Sequence, residues 1–418
     1  MTLIKTSLLN SIAVVIKMLT LLGINKVLAV YVGPAGYGAL GQFQNTIQMI
    51  TTFASGALNT GVTKYTAEYS DDEKKQQTVW RTAGTVAIIG AILTGIFIAL
   101  FSTSLARLVL KDEKLASVFI WFSFSLVFFV LNSLLLAILN GKKEIKKYIL
   151  VNITGSLLAL AVTSFMAVYL GLYGALVALA VYQSLSFFVT FYIVYRSSWF
   201  RLIYLFGSID RQTMFNLSKY TAMALTSAAC VPVSHILVRN HLGETLGWDA
   251  AGYWEAMWRL SAAYLMFVTT TLSVYYLPRL SELREVSEIK REILQGYKVI
   301  LPVAAVCGLI IYLFRNFIIE VLFTADFSPM AQLFAWQMVG DTLKIGSWIL
   351  AYLMLGKAMV KLFIFTEILF AAGFYILVVV LVDKFGLVGS ASAHAVNYCM
   401  YWLVMCVFIR FYFHSTSI

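Results

Sequence analysis

Residues 8–31 read LLNSIAVVIKMLTLLGINKVLAVY, twenty-four residues whose only charges are Lys17 and Lys26. A helix rises 1.5 Å per residue, so about 20 residues cross a hydrocarbon core about 30 Å thick. The run is longer than the apolar core of a signal peptide and does not end in a small-residue cleavage site, so it reads as a retained membrane helix. The remainder of the chain follows suit. Of 418 residues, 61% are hydrophobic and 12% charged, and the mean hydropathy is +0.84. Soluble domains carry about 25% charged residues, which excludes one solvated surface around one core. Further spanning runs are predicted at 37–62, 82–101, 116–139, 148–169, 173–195, 214–238, 253–277, 297–314, 330–355, 362–382 and 388–411. The twelve leave no room for a soluble domain. The ninth is shortest, and 317–323 after it suits an interfacial segment. The predicted fold is an all-α polytopic membrane protein of twelve transmembrane helices.

Charge sets the predicted orientation. The loops after the even-numbered helices, their edges and the two tails hold 21 of the 31 Lys and Arg, and the opposite loops hold six, which places both termini in the cytoplasm. The net charge of +11 is spread between apolar runs and forms no basic domain, so nucleic acid is not an expected partner. The four cysteines all lie in apolar stretches and suggest neither a disulfide framework nor a zinc site.

The chain also repeats itself at an offset of 215 or 216 residues. Ala35-Gly36-Tyr37 recurs as Ala251-Gly252-Tyr253, Gly141 and Lys142 as Gly356 and Lys357, and Gly171, Leu172 and Gly174 as Gly386, Leu387 and Gly389. Lys146 is matched by Lys361, and Lys64 by Arg279. Equivalent loops in the same order predict two six-helix lobes, 1–205 and 206–418, related by an axis along the membrane normal and enclosing a V-shaped cleft. The loop 281–298 carries Leu283, Val286, Ile289 and Ile293 at helical spacing beside an Arg284/Glu288 pair, and reads as a surface helix along the bilayer.

No phosphate-binding glycine loop or paired-histidine zinc motif occurs, and the four histidines are scattered. No cofactor or metal is implied, and catalysis is disfavoured. What remains are ionisable residues inside spans, where insertion costs about 2.5–3.5 kcal/mol per charge. Lys17 lies nine residues into the first run, about 14 Å deep, and needs a cavity or an anion. Lys26 points to the opposite face, nearer the far end. Asp341 and Lys344 are three apart on one face and could neutralise each other or bind substrate. Arg259 beside Trp254 and Trp258, with His235 and Arg239 four apart, suggests a periplasmic vestibule. Glu367 is the other within-span carboxylate read from the sequence, with Lys361 as one candidate partner. Gln44 and Gln48 share a face and suit hydroxyl-rich ligands, though amides also join helices. Four cations against two carboxylates favour an anionic ligand over a cationic drug.

The stretches KTSLLNSIAVVIK (5–17), VGPAGYG (32–38), GVTKY (61–65) and FAWQMVGDTLK (334–344) resemble the Wzx-type lipid-linked oligosaccharide flippases, which serve O-antigen and enterobacterial common antigen synthesis. These belong to the multidrug/oligosaccharidyl-lipid/polysaccharide superfamily, and the resemblance extends over nearly the whole chain. It implies two six-helix lobes with helices one, two, seven and eight bordering the cavity. It also implies an undecaprenyl-diphosphate-linked oligosaccharide (lipid III or an O-antigen unit), moved from the cytoplasmic to the periplasmic leaflet of the bacterial inner membrane. The expected protein is a monomer among membrane lipids, and contacts with polysaccharide assembly proteins are allowed. Extruders of the superfamily carry an acidic cation-site residue in the first helix, where this chain has Lys17 and Lys26. That departure favours a diphosphate, held by Lys17 with help from Arg259 and Lys26. The alternatives left open are a membrane enzyme acting on a polyprenyl-linked sugar and a multidrug or cation antiporter.

Overall fold

The structure, a computed structural model, describes the backbone of residues 3–276, 279–280, 283, 285–357 and 359–415. Side chains are described from Ile12 onward, apart from those at 219–220, 222–223, 271, 273–274 and 414–415. Every regular element among the described residues is helical. α1 (Leu3–Tyr31) and α2 (Gly33–Ala54) are separated only by Val32, whose N–H donates to the Leu28 carbonyl at 2.9 Å. Gly33 turns the chain with φ +71°, and Pro34 opens α2, where its missing N–H costs nothing. The run predicted at 37–62 is not one helix. α2 stops at Ala54, Gly56 and Ala57 take φ of +61° and +52°, and α3 (Asn59–Glu68) starts afresh.

α4 (Glu73–Leu100) is capped by Asp72, which accepts the Lys75 backbone N–H at 3.0 Å, a bond that also holds the Asp72 carboxyl below its usual pKa. α5 (Ala116–Gly141) then leads into α6 (Ile145–Tyr195), whose 51 residues would extend about 77 Å, more than two hydrocarbon thicknesses. Gly171, at φ +55° and ψ −136°, breaks it into two crossings. One repeat later, Gly386 at φ +60° and ψ −143° separates α12 (Val360–Phe385) from α13 (Leu387–Ser415). A Cβ on Gly174 would sit 2.0 Å from the Met166 carbonyl oxygen, and one on Gly389 would sit 2.1 Å from that of Leu381. The half-length repeat is therefore present in the backbone as well as in the letters.

Between these lie α7 (Arg211–Thr245), α8 (Trp248–Thr271), α9 (Val286–Leu313), the short α10 (Arg315–Leu322) and α11 (Phe334–Gly356). Eight helical segments among the described residues, one of them the doubled α6, are long and apolar enough to cross a membrane. The chain is a multi-pass membrane protein. α2 and α8 are not among the eight, because the amides of the first and the arginine and carboxylates of the second lower their hydropathy. A helix that polar needs protein or water along one face.

Two compact units emerge, Met1–Val32 with Ala39–Pro232, and Gly33–Gly38 with Val233–Ile418. This contact boundary falls at Pro232 inside α7, whereas the boundary of the sequence repeat lies at 205/206. In unit 1 the core gathers Val62, Trp80, Leu135 and Ile138, with Trp80 Nε1 donating to Thr66 Oγ1 at 2.9 Å. In unit 2 one cluster joins Tyr276, Ile289, Ile293, Leu353 and Met405, and a second joins Val238, Trp254, Phe374 and Val378. The apolar stripe at 283–293 has the helical spacing read from the sequence, but it faces a protein core. Residues from Val286 onward are the first turns of α9, and Leu283, Ile289 and Ile293 are buried in the unit 2 core. Arg284, the proposed partner of Glu288, lies outside the described residues.

Candidate functional site

α7 and α8 of unit 2 meet around a carboxylate that hydropathy conceals, Glu255 in the segment YWEAMWR. Its Oε2 accepts from Arg239 Nη1 at 2.5 Å and its Oε1 from Arg259 Nε at 2.9 Å. Glu255 and Arg259 are one turn apart on α8, the favourable order for a helical ion pair. Arg239 is only 1% exposed and lies over the Trp254 ring at 5.6 Å, while Arg259 lies over Tyr37 at 5.3 Å. His235, one turn before Arg239, packs against Trp254 and Trp258 with ring centroids 5.2 and 4.4 Å away. The structure thus brings His235, Arg239 and Arg259 together, but with their charge half met from within the unit.

Further along the Trp258 side, Asp341 on α11 is completely buried. Its Oδ2 accepts from Ser261 Oγ at 2.7 Å and Tyr264 OH at 2.5 Å, and its Oδ1 accepts from Gln337 Nε2 at 3.3 Å and lies 2.9 Å from His394 Nε2 on α13. A buried carboxylate needs this much compensation. Lys344 shares the face of α11 with Asp341, as the spacing predicts, yet no ion pair joins them. Its ammonium instead lies 4.7, 4.9 and 5.2 Å from the ring centroids of Trp258, Trp348 and Tyr398, an aromatic cage of the kind that holds cations. Lys344 is 8% exposed. The two charges attract each other through the site without a direct ion pair. Around this network Arg239, Arg259 and Lys344 face Glu255 and Asp341, an excess of one positive charge before His394 is counted.

Of the remaining predicted residues, Lys17, Lys26, Gln44 and Gln48 belong to unit 1, and Glu367 and Lys361 to unit 2. Lys17 on α1 is exposed, and its side chain makes no hydrogen bond or ion pair with the described residues. Lys26 is half-buried. On α2, Gln44 and Gln48 are both exposed on one face, whereas Gln42 is fully buried, the amide that packs between helices. Glu367 on α12 is half-buried and Lys361 exposed; six residues apart on a helix, they lie on different faces and do not pair.

Sequence reasoning missed Glu255, His394, Gln337, Ser261, Tyr264, Trp348 and Tyr398. Three of these carried a local signal, a spacing of one helical turn: Glu255 to Arg259, Gln337 to Asp341 and Trp348 to Lys344. His394 is 53 residues from Asp341, and nothing local links them.

Comparison with known proteins gives a consistent answer. Residues 3–284 match the family described as polysaccharide biosynthesis protein. Curated relatives named lipid III flippase, from Escherichia coli (strain K12) and Shigella flexneri, are each 31% identical over 410 residues, covering 97% of this chain and 98% of theirs. Among solved structures, a multidrug resistance transporter of the MATE family and MOP superfamily, in an inward-facing conformation, superposes with a TM-score of 0.79 over 96% of this chain and 95% of its own, at 14% identity. That likeness concerns the fold, a two-lobed helical transporter architecture. With most of its length inside the family match and nearly all of it aligned to full-length relatives, the chain belongs to the polysaccharide biosynthesis protein family.

Proposed function

We propose that the protein is a flippase for an undecaprenyl-diphosphate-linked oligosaccharide, lipid III or an O-antigen unit, carried from the cytoplasmic to the periplasmic leaflet of the bacterial inner membrane. It works by alternating access of two six-helix lobes and makes or breaks no covalent bond. The relatives named lipid III flippase support the substrate class. The observation that carries the reading is the buried positive excess of unit 2, above all Lys344, a membrane-buried ammonium with aromatic rings around it and no carboxylate in ion-pair reach. An anionic diphosphate supplies what that charge lacks, and cations supply what a diphosphate loses on leaving water.

The two buried carboxylates of unit 2 argue against a cationic drug as cargo. Glu255 is occupied by two arginines, and Asp341 by hydroxyls, an amide and an imidazole. In this reading Lys17 and Lys26 of unit 1 and Arg259 and Lys344 of unit 2 supply the positive charge for the diphosphate, and Gln44 and Gln48 offer amides to sugar hydroxyls. His235 and Arg239 belong to the same cluster as Arg259. A few separated cations hold the cargo without caging it, so it can be released. The bias of Lys and Arg among the loops supports cytoplasmic termini, and the working unit is a monomer surrounded by membrane lipids and open to polysaccharide assembly proteins.

Translocation of a defined lipid-linked oligosaccharide in proteoliposomes tests this, with a lipophilic cation as the competing cargo. Transport of the oligosaccharide and not of the cation is the expected result; the reverse overturns the proposal. In the same assay, normalised to protein in the membrane, Lys17→Arg should retain more transport than Lys17→Gln, and Lys17→Glu should retain least. Wild-type rates for Lys17→Glu would remove Lys17 from the path.

A further inference from the structure

In unit 2, away from the buried ions, α9 and α13 diverge over α11 and leave a groove of about 510 Å³. Its walls are Leu294 and Tyr297 from α9, Leu350 from α11 and Ile409 from α13, and its rim carries two cations, Lys290 and Arg410. The floor is fixed: Tyr297 OH donates to the Gly346 carbonyl at 3.1 Å and accepts from Trp402 Nε1 at 2.9 Å. Both cations are exposed and neither is in an ion pair with a described residue. Lys290 lies over the Phe413 ring at 5.2 Å, which steers its ammonium toward the groove. Of the two acids two residues from Lys290, Glu288 makes no ion pair with it, and Glu292 points elsewhere, 3.7 Å from Arg279 and hydrogen-bonded by Tyr275 OH at 3.3 Å.

We infer that this groove is a binding site for an anionic diacyl phospholipid, with the phosphate between Lys290 and Arg410 and one acyl chain along Leu294, Tyr297 and Leu350. The argument is charge complementarity in a membrane setting. An apolar trough that opens between spanning helices is filled by acyl chains, and two unpaired cations at one end select a phosphate that carries net negative charge over a zwitterionic headgroup. Long basic side chains at helix ends reach the headgroup layer while their stems cover apolar wall. Both cations lie on the side of the chain rich in Lys and Arg, where anionic lipid exerts its attraction. This site does not depend on the transported cargo, because it shares no residue with the ion network around Asp341 and Glu255.

Cys406 lines the groove, and the exposed Cys307 and Cys399 lie elsewhere, so the protein has its own reporter and controls. The full-length protein in detergent is treated with a small maleimide, and alkylation of each cysteine is followed by peptide mass spectrometry with added phosphatidylglycerol, phosphatidylcholine or undecaprenyl diphosphate. Phosphatidylglycerol should slow labelling of Cys406 about tenfold, as an occupied site does when lipid is in excess of its Kd, and leave Cys307 and Cys399 unchanged. Phosphatidylcholine should protect weakly. Lys290→Gln with Arg410→Gln should abolish the protection; if that pair lowers the melting temperature, the difference between the two phospholipids on the wild-type protein decides. Equal protection by both phospholipids, or protection by undecaprenyl diphosphate at lower concentration than phosphatidylglycerol, overturns the inference, the latter by assigning the groove to the carrier lipid.

Discussion

The two units share a backbone plan and differ in what they bury. Gly171 and Gly386 adopt nearly the same conformation, and Gly174 and Gly389 press against carbonyls at nearly the same distance. Yet one repeat before Asp341 and Lys344 stand Leu126 and Phe129, both buried, and one repeat before His394 stands Leu179. Glu255 and Arg259 correspond to Ala39 and Phe43. Among the described residues of unit 1, the fully buried polar side chains are all neutral. Ser125 Oγ donates to the Ala180 carbonyl at 2.8 Å, Ser184 Oγ to the Ser125 carbonyl at 2.7 Å, and Thr190 Oγ1 to Asn132 Oδ1 at 2.6 Å. The scaffold therefore does not require buried ions, because unit 1 builds the same plan without them. Ions that are fully buried, among the described residues, in unit 2 alone bear the cost of desolvation and point to function.

The strongest way to break this comparison is to make unit 2 resemble unit 1. The triple variant Asp341→Leu, Lys344→Phe, His394→Leu removes charge and partners together, and such apolar replacement is often neutral for stability. It should accumulate in the membrane and melt near the wild-type temperature, while translocation falls about a hundredfold, the loss of roughly 2.7 kcal/mol of transition-state binding. Wild-type transport by the triple variant would make the network structural only. Next in size is Glu255→Gln, which removes the carboxylate that both Arg239, at 1% exposure, and Arg259 bond. Removing one member of a buried ion cluster costs about 3–5 kcal/mol, seen as a lower melting temperature and reduced membrane yield. Unchanged melting would mean that water or another group reaches Arg239. The smallest effects should be symmetric. Gly171→Ala and Gly386→Ala each force a side chain into a glycine-favoured backbone region, costing about 1–3 kcal/mol, and the two should agree within experimental scatter. A large inequality would show that the repeat is geometric but not energetic.

Much of the helical scaffold was legible in the sequence because it is written in hydropathy and glycine placement, which act locally. The repeat at Gly171 and Gly386 was read correctly for that reason. The break in the second run was not, since Thr51, Thr52, Ser55 and Ala57 are apolar or small enough to pass for a continuous span, while the turn depends on two successive positive φ angles. The helical spacing within 281–298 holds from Val286 onward, but the stripe was read as facing the bilayer, since an apolar stripe facing lipid and one facing a core have the same periodicity. The ion site was half legible. Asp341, Lys344, Arg239, Arg259 and His235 stand out as charges in apolar runs, but which partner each takes depends on α13 crossing α11, which brings His394 to Asp341 and frees Lys344 for Trp258, Trp348 and Tyr398.

The central claim is that the excess cation of unit 2 serves an anionic cargo, and the most direct test is Lys344→Met in reconstituted translocation. Methionine is unbranched and fills the aromatic cage without charge, so melting and membrane abundance should hold. The account predicts an initial rate for the lipid-linked oligosaccharide about tenfold below wild type, the equivalent of roughly 1.4 kcal/mol. A wild-type rate from a stably folded Lys344→Met protein would contradict it.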